Sequence, residues 1–94
     1  MTTKYEYIDS LAAELKEWSL QGDLLAAKTE KSVGMVKLNY TEQLNAFRRK
    51  QFEATEKLRK LEETSNEAWE TAKETADKVW DDLRKGLNLA ASKF

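Results

Sequence analysis

The sequence predicts an all-α fold: a long helix followed by a shorter antiparallel one, a helical hairpin or coiled coil that self-associates, with a three-helix bundle as the alternative. Three observations carry that prediction. Apolar residues recur at steps of three and four through nearly the whole chain, the 94 residues include no proline, and 35% of them are charged against 40% hydrophobic. The first places one face of a helix against a partner. The second leaves no obligatory helix breaker. The third gives fewer apolar and more charged residues than the ~45–50% and ~25% of ordinary globular domains, a balance that suits narrow helical seams. Acidic and basic residues are interspersed and the net charge is −1, so the low apolar content does not come with the charge excess of a disordered chain.

A first helix is expected from Thr3 to about position 63. Thr2 or Thr3 supplies an N-cap, Glu6 falls in the first turn, and Leu11, Leu15, Trp18 and Leu25 define its apolar edge. The stretch from Lys28 to Asn39 is its weakest part, because Thr29, Ser32, Val33, Gly34 and Asn39 are poor helix formers and a break is open near 32–34. Against a break, Leu25, Val36, Phe47 and Leu58 follow one another in steps of eleven without losing phase. From Tyr40 onward, Leu44, Phe47, Leu58 and Leu61 continue the stripe, and Glu53–Lys57 and Glu56–Lys60 stand in the favourable i, i+4 order.

The firmest break is expected at Thr64-Ser65-Asn66, where Thr64 and Glu67 have the spacing of a capping box. A last helix then runs from about 66 to 91, with Trp69, Trp80 and Leu83 on its apolar face. Charge supports a hairpin there: residues 46–61 carry a net +4 and residues 62–77 a net −5, so folding back sets the two blocks along one another. If only this break is real, the long helix outruns the short one, and its exposed seam calls for a second copy of the chain. If 32–34 also breaks, three helices of similar length close a bundle on their own. The long-helix arrangement is preferred. Either way the chain is read as one domain over 1–94, and Leu11, Leu15, Trp18, Leu25, Val36, Leu44, Phe47, Leu58, Leu61, Trp69, Trp80 and Leu83 are the expected interaction seam.

The N-terminal run Tyr7-Ile8-Asp9-Ser10-Leu11-Ala12-Ala13-Glu14-Leu15-Lys16-Glu17-Trp18 and the C-terminal runs Glu67-Ala68-Trp69-Glu70-Thr71-Ala72-Lys73 and Lys78-Val79-Trp80-Asp81-Asp82-Leu83-Arg84-Lys85 resemble a family of small bacterial coiled-coil proteins. The segment Ser32-Val33-Gly34-Met35-Val36 departs from the charged, alanine-rich stretch usual there. A second, local resemblance lies in Glu70-Thr71-Ala72-Lys73-Glu74-Thr75-Ala76-Asp77-Lys78, which is similar to the eleven-residue repeats of late-embryogenesis-abundant proteins. What these resemblances imply is a non-enzymatic structural or protein-interaction role under stress, with no catalytic residue to carry over.

The residues themselves point the same way. With no histidine and no cysteine, the chain lacks the commonest metal ligand, the commonest general base and any thiolate. Helical spacing puts Glu63, Glu67, Glu70 and Glu74 close together, but helical-bundle metal sites join such glutamates to Glu-x-x-His. No enzyme activity, cofactor or metal is expected. The basic residues Arg48, Arg49, Lys50, Lys57, Arg59 and Lys60, with Phe47 and Phe52 among them, have the makings of a phosphate-binding face, yet the adjacent acidic block is the better partner for them.

The partner expected is therefore the chain itself or another helical protein. A membrane surface is the alternative, drawn from the edge Trp69, Trp80, Leu83, Leu87 and Phe94 with Lys73, Lys78, Arg84 and Lys85 beside it. No uncharged run reaches the ~20 residues of a transmembrane segment. Residues Met1 to Ser10 lack the apolar core of a secretory signal, so the expected location is cytoplasmic and the match of Asn39-Tyr40-Thr41 to a glycosylation acceptor is read as chance.

Overall fold

Thr3, whose side-chain Oγ1 accepts a hydrogen bond from the Glu6 backbone N–H at 3.1 Å, opens the first of three helices. The computed structural model describes residues 3–94; the alternative cap at Thr2 lies outside them. Helix α1 spans Lys4–Lys31, α2 spans Gly34–Glu63 and α3 spans Trp69–Ser92. The chain runs up, down and up, so that α1 and α3 are parallel and α2 is antiparallel to both. The particle measures 53 × 20 × 18 Å.

This is the three-helix arrangement, and the preferred unbroken helix over 3–63 is not what forms. Ser32 and Val33 both take extended backbone, with φ/ψ of −86/159° and −135/160°. The Ser32 hydroxyl donates back to the Lys28 carbonyl at 2.9 Å and its N–H to the Thr29 carbonyl at 3.1 Å, closing α1. Gly34 then starts α2 at φ +63°, where a Cβ would be strained by about 1–2 kcal/mol. The step-of-eleven phase survives the break because periodicity counts residues and is blind to chain direction. Both arms of a hairpin turn their stripes toward the same core.

The second turn also differs from expectation. Thr64 closes α2 rather than capping α3: its hydroxyl donates to the Lys60 carbonyl at 2.9 Å, and the chain turns for four more residues before α3 begins after Ala68. Residues 66–68 form a turn, and α3 begins at Trp69 without a side-chain cap. Lys4 Nζ donates to the Thr64 carbonyl, tying the start of α1 to the end of α2.

The core is one thin column, with Phe47, Ala54, Ala76 and Leu87 excluded from solvent. The polar stripe position Thr29 is buried at no unmet hydrogen-bonding cost, since its Oγ1 donates to the Leu25 carbonyl at 2.8 Å. Among the described residues no buried side-chain polar atom lacks a partner. Gly22 faces the ends of the Arg48 and Gln51 side chains, and a Cβ there would sit 2.9 Å from Arg48 Nη1 and displace that flexible tip. With Gly22 against Arg48 and Gln51, and Asp23 paired to Arg48 at 3.1 Å, Lys31 falls level with roughly residue 41 at the common helical rise. Tyr40 stacks on Phe94 at 4.7 Å, and Lys28 Nζ donates to the Phe94 carbonyl at 2.7 Å, so α1 and α3 finish together at that level. The first turns of α2 stand beyond them.

Candidate interaction seam

Burial sorts the twelve predicted seam residues. Leu11, Trp18, Leu25, Phe47, Leu58, Leu61, Trp80 and Leu83 are buried, and Leu15, Leu44 and Trp69 pack half-buried against them. Val36 is the exception. It keeps the phase of the stripe but is half exposed, because no other helix reaches its level.

The parallel pair α1 and α3 is joined by large side chains. Trp18 stacks on Trp80 with ring centroids 5.1 Å apart and planes inclined by 26°, an offset geometry favourable for two quadrupoles. Glu14 completes the junction. Its Oε1 accepts from Trp80 Nε1 at 2.9 Å and from Arg84 Nη2 at 2.8 Å, and its Oε2 accepts from Arg84 Nε at 2.5 Å. This bidentate fork fixes register as well as charge. The Arg84 bonds hold the Glu14 carboxyl below its ordinary pKa, with burial opposing and Trp80 assisting. Reciprocally, Glu14 raises the Arg84 guanidinium.

About two to three turns below, Tyr7 meets Trp69 edge to face at 5.5 Å and its hydroxyl donates to Asp77. Burial, and then the Asp77 hydrogen bond, push the Tyr7 phenol well above its usual range. Lys73 and Lys4 lie over the Tyr7 and Trp69 rings at 5.5 and 5.9 Å.

Sequence reasoning did not single out Glu14 or Tyr7, and took Arg84 only as one of the basic residues beside a membrane-facing edge. Glu14 and Arg84 flank the stripe, next to Leu15 and Leu83, and the available signal was a charged residue of each sign beside a tryptophan-bearing apolar face. The charge blocks also behave differently from expectation. The ion pairs between helices are Arg48–Asp23 and Arg84–Glu14, and none joins the basic block of α2 to the acidic block of α3 among the described residues. Arg59 instead takes Glu56 at 2.9 Å and Lys50 lies 3.7 Å from Glu53, both i, i+3 pairs within α2, in place of the expected i, i+4 pairs. Thr71 and Thr75, not glutamates, face Lys57 and Lys60 across the outer α2–α3 groove.

The grooves between the helices are open; the one lined by Lys57, Lys60, Leu61 and Thr71 has no carboxylate in its lining, while Lys4, Lys73, Glu70, Glu74 and Asp77 line another beside Trp69. Glu63, Glu67, Glu70 and Glu74 do not converge into a metal-binding group among the described residues. The edge that suggested an interfacial α3 is turned inward: Trp80, Leu83 and Leu87 are buried. No described helix is long and apolar enough to cross a membrane. No family model matches the chain, and neither a curated protein nor a solved structure matches it.

Proposed function

We propose that this chain is a non-enzymatic helical module that works by protein–protein contact, first of all with copies of itself. The observation that carries the reading is surface apolarity. Besides a filled core, Tyr5, Leu20, Leu24, Val33, Met35, Val36, Leu38, Phe52 and Leu89 are exposed, a large set for a particle 20 Å across. Single exposed leucines are ordinary, whereas several on one small molecule mark contact surface. A structural role under stress, drawn from sequence resemblance alone, is the physiological form this module takes in the reading. Sedimentation equilibrium between about 10 µM and 1 mM tests it. Reversible, concentration-dependent association supports self-contact; a particle of one chain's mass across the whole range removes it and leaves only contact with a different helical protein.

A further inference from the structure

Deepening the self-association reading and resting on it, we propose that the contact between copies is made by the projecting start of α2, paired antiparallel with the same segment of a second chain across a two-fold axis. Residues 33–39 are all exposed. Val33 is 81% exposed, Met35 73%, Val36 50% and Leu38 65%, although these are residue types a fold normally covers. The six residues 34–39 rise about 9 Å past the Tyr40–Phe94 stack, where the core ends.

The arrangement of the segment selects a single occupant on one side. At ~100° per residue, Leu38, Met35 and Val36 spread over an arc of roughly 160°, while Lys37 and Thr41 lie opposite. Such a one-sided stripe seats one flat or helical partner, and charge then chooses between a membrane surface and a helix. Val36 also continues the phase of Phe47, Ala54 and Leu61, so the segment extends the seam of the bundle itself into a layer where α1 and α3 supply nothing.

Charge selects a copy of the same helix. The start of α2 has no acidic residue in its first turn and no side-chain cap, so its unpaired N–H groups and dipole are uncompensated. Glu42 lies on the face of Met35 and Leu38, one turn beyond Leu38, and makes no ion pair among the described residues. In an antiparallel pair centred on Leu38, Gly34 of one chain is level with Glu42 of the other. Each carboxylate then meets the uncapped end of the opposite helix, and the contact is isologous, residue 34 with 42 and 42 with 34. Size fixes its strength. Four side chains at these exposures present on the order of 400 Å² per copy, within the ~300–600 Å² of the largest patches on monomers, and two copies bury about 800 Å², the scale of a transient interface.

The chain has no cysteine, so a single engineered one reports proximity without background. Leu38→Cys is expected to form a disulfide dimer under mild oxidation at least tenfold faster than Leu24→Cys, a control equally exposed on α1. In sedimentation, Leu38→Glu and Glu42→Lys are expected to raise the dimer dissociation constant at least tenfold, and Leu24→Glu to leave it unchanged, with helical circular dichroism intact in all three. Dimers that persist in Leu38→Glu, with no preferential crosslinking at 38, overturn the α2 contact while self-association itself stands. A wild-type chain monomeric at 1 mM overturns both. Binding of the monomer to phosphatidylserine vesicles that Leu38→Glu abolishes assigns the segment to a lipid surface and likewise overturns the proposal.

Discussion

The two ends of α2 were written with the same stripe and meet opposite fates. Toward its C-terminus, Ala54, Leu58 and Leu61 are buried between α1 and α3; at its N-terminus Val36, in the same phase, stands half exposed. Helical periodicity therefore states which face a residue occupies, and neighbouring chain decides whether that face is covered. At the middle of the bundle the cover is specific: Trp18 on Trp80, and Glu14 forked onto Arg84. At the tip none of the described helices supplies it.

The sharpest way to break this contrast is at the tryptophans. Trp80→Ala removes a side chain that is 1% exposed and is expected to lower unfolding free energy by about 3–5 kcal/mol, read as a fall in thermal midpoint. A loss below 1 kcal/mol would place the ring outside the core. Next in size, Glu14→Gln keeps the volume but weakens the fork, with an expected loss of about 1–2 kcal/mol after allowing for the exposure of Arg84. Its pH signature is directional. Because folding lowers the Glu14 pKa, its contribution is complete above the unfolded value of 4.5 and is lost as pH falls through the folded one. The stability difference between wild type and Glu14→Gln should therefore shrink below pH 4.5 in chemical-denaturation series; a pH-independent difference would contradict the fork. Gly34→Ala, at φ +63°, is expected to cost about 1–2 kcal/mol although a Cβ there would touch nothing within 4 Å.

The smallest effects are expected at the acidic block that sequence reasoning set along the basic one. Reversing Glu67, Glu70 and Glu74 to lysine should leave the melting temperature nearly unchanged even at low salt, because among the described residues no ion pair joins that block to α2. A marked destabilisation at low salt would show that long-range attraction between the blocks matters without contact.

How far the fold was legible follows from the same contrast. The start of α1, the apolar faces of all three helices and the burial of Trp18, Trp80 and Leu83 follow from spacing and a cap. The break at Ser32-Val33 does not, since a short extended link lets Leu25, Val36 and Phe47 keep their count; the informative signal was composition, with Gly34 where the backbone must turn left-handed. The capping box at Thr64 misled because a threonine hydroxyl can serve either the preceding turn, donating to its carbonyl, or the following one, accepting from its N–H, and spacing alone does not say which helix the residue ends up closing. The Glu14–Arg84 fork joins residues 70 apart, and no local pattern marks such a pair.

The parallel pairing of α1 and α3 also orders events in time. Each antiparallel hairpin closes through a turn of a few residues, whereas the Trp18–Trp80 stack joins positions far apart in the chain and needs both hairpins in register first. Loop closure favours the near contacts kinetically. Refolding should accordingly recover far-ultraviolet ellipticity ahead of the near-ultraviolet signal of the coupled indoles, and Trp80→Ala should speed unfolding far more than it slows folding. The indole pair would then be a latch that sets how long the molecule stays folded, with little say in how fast it gets there.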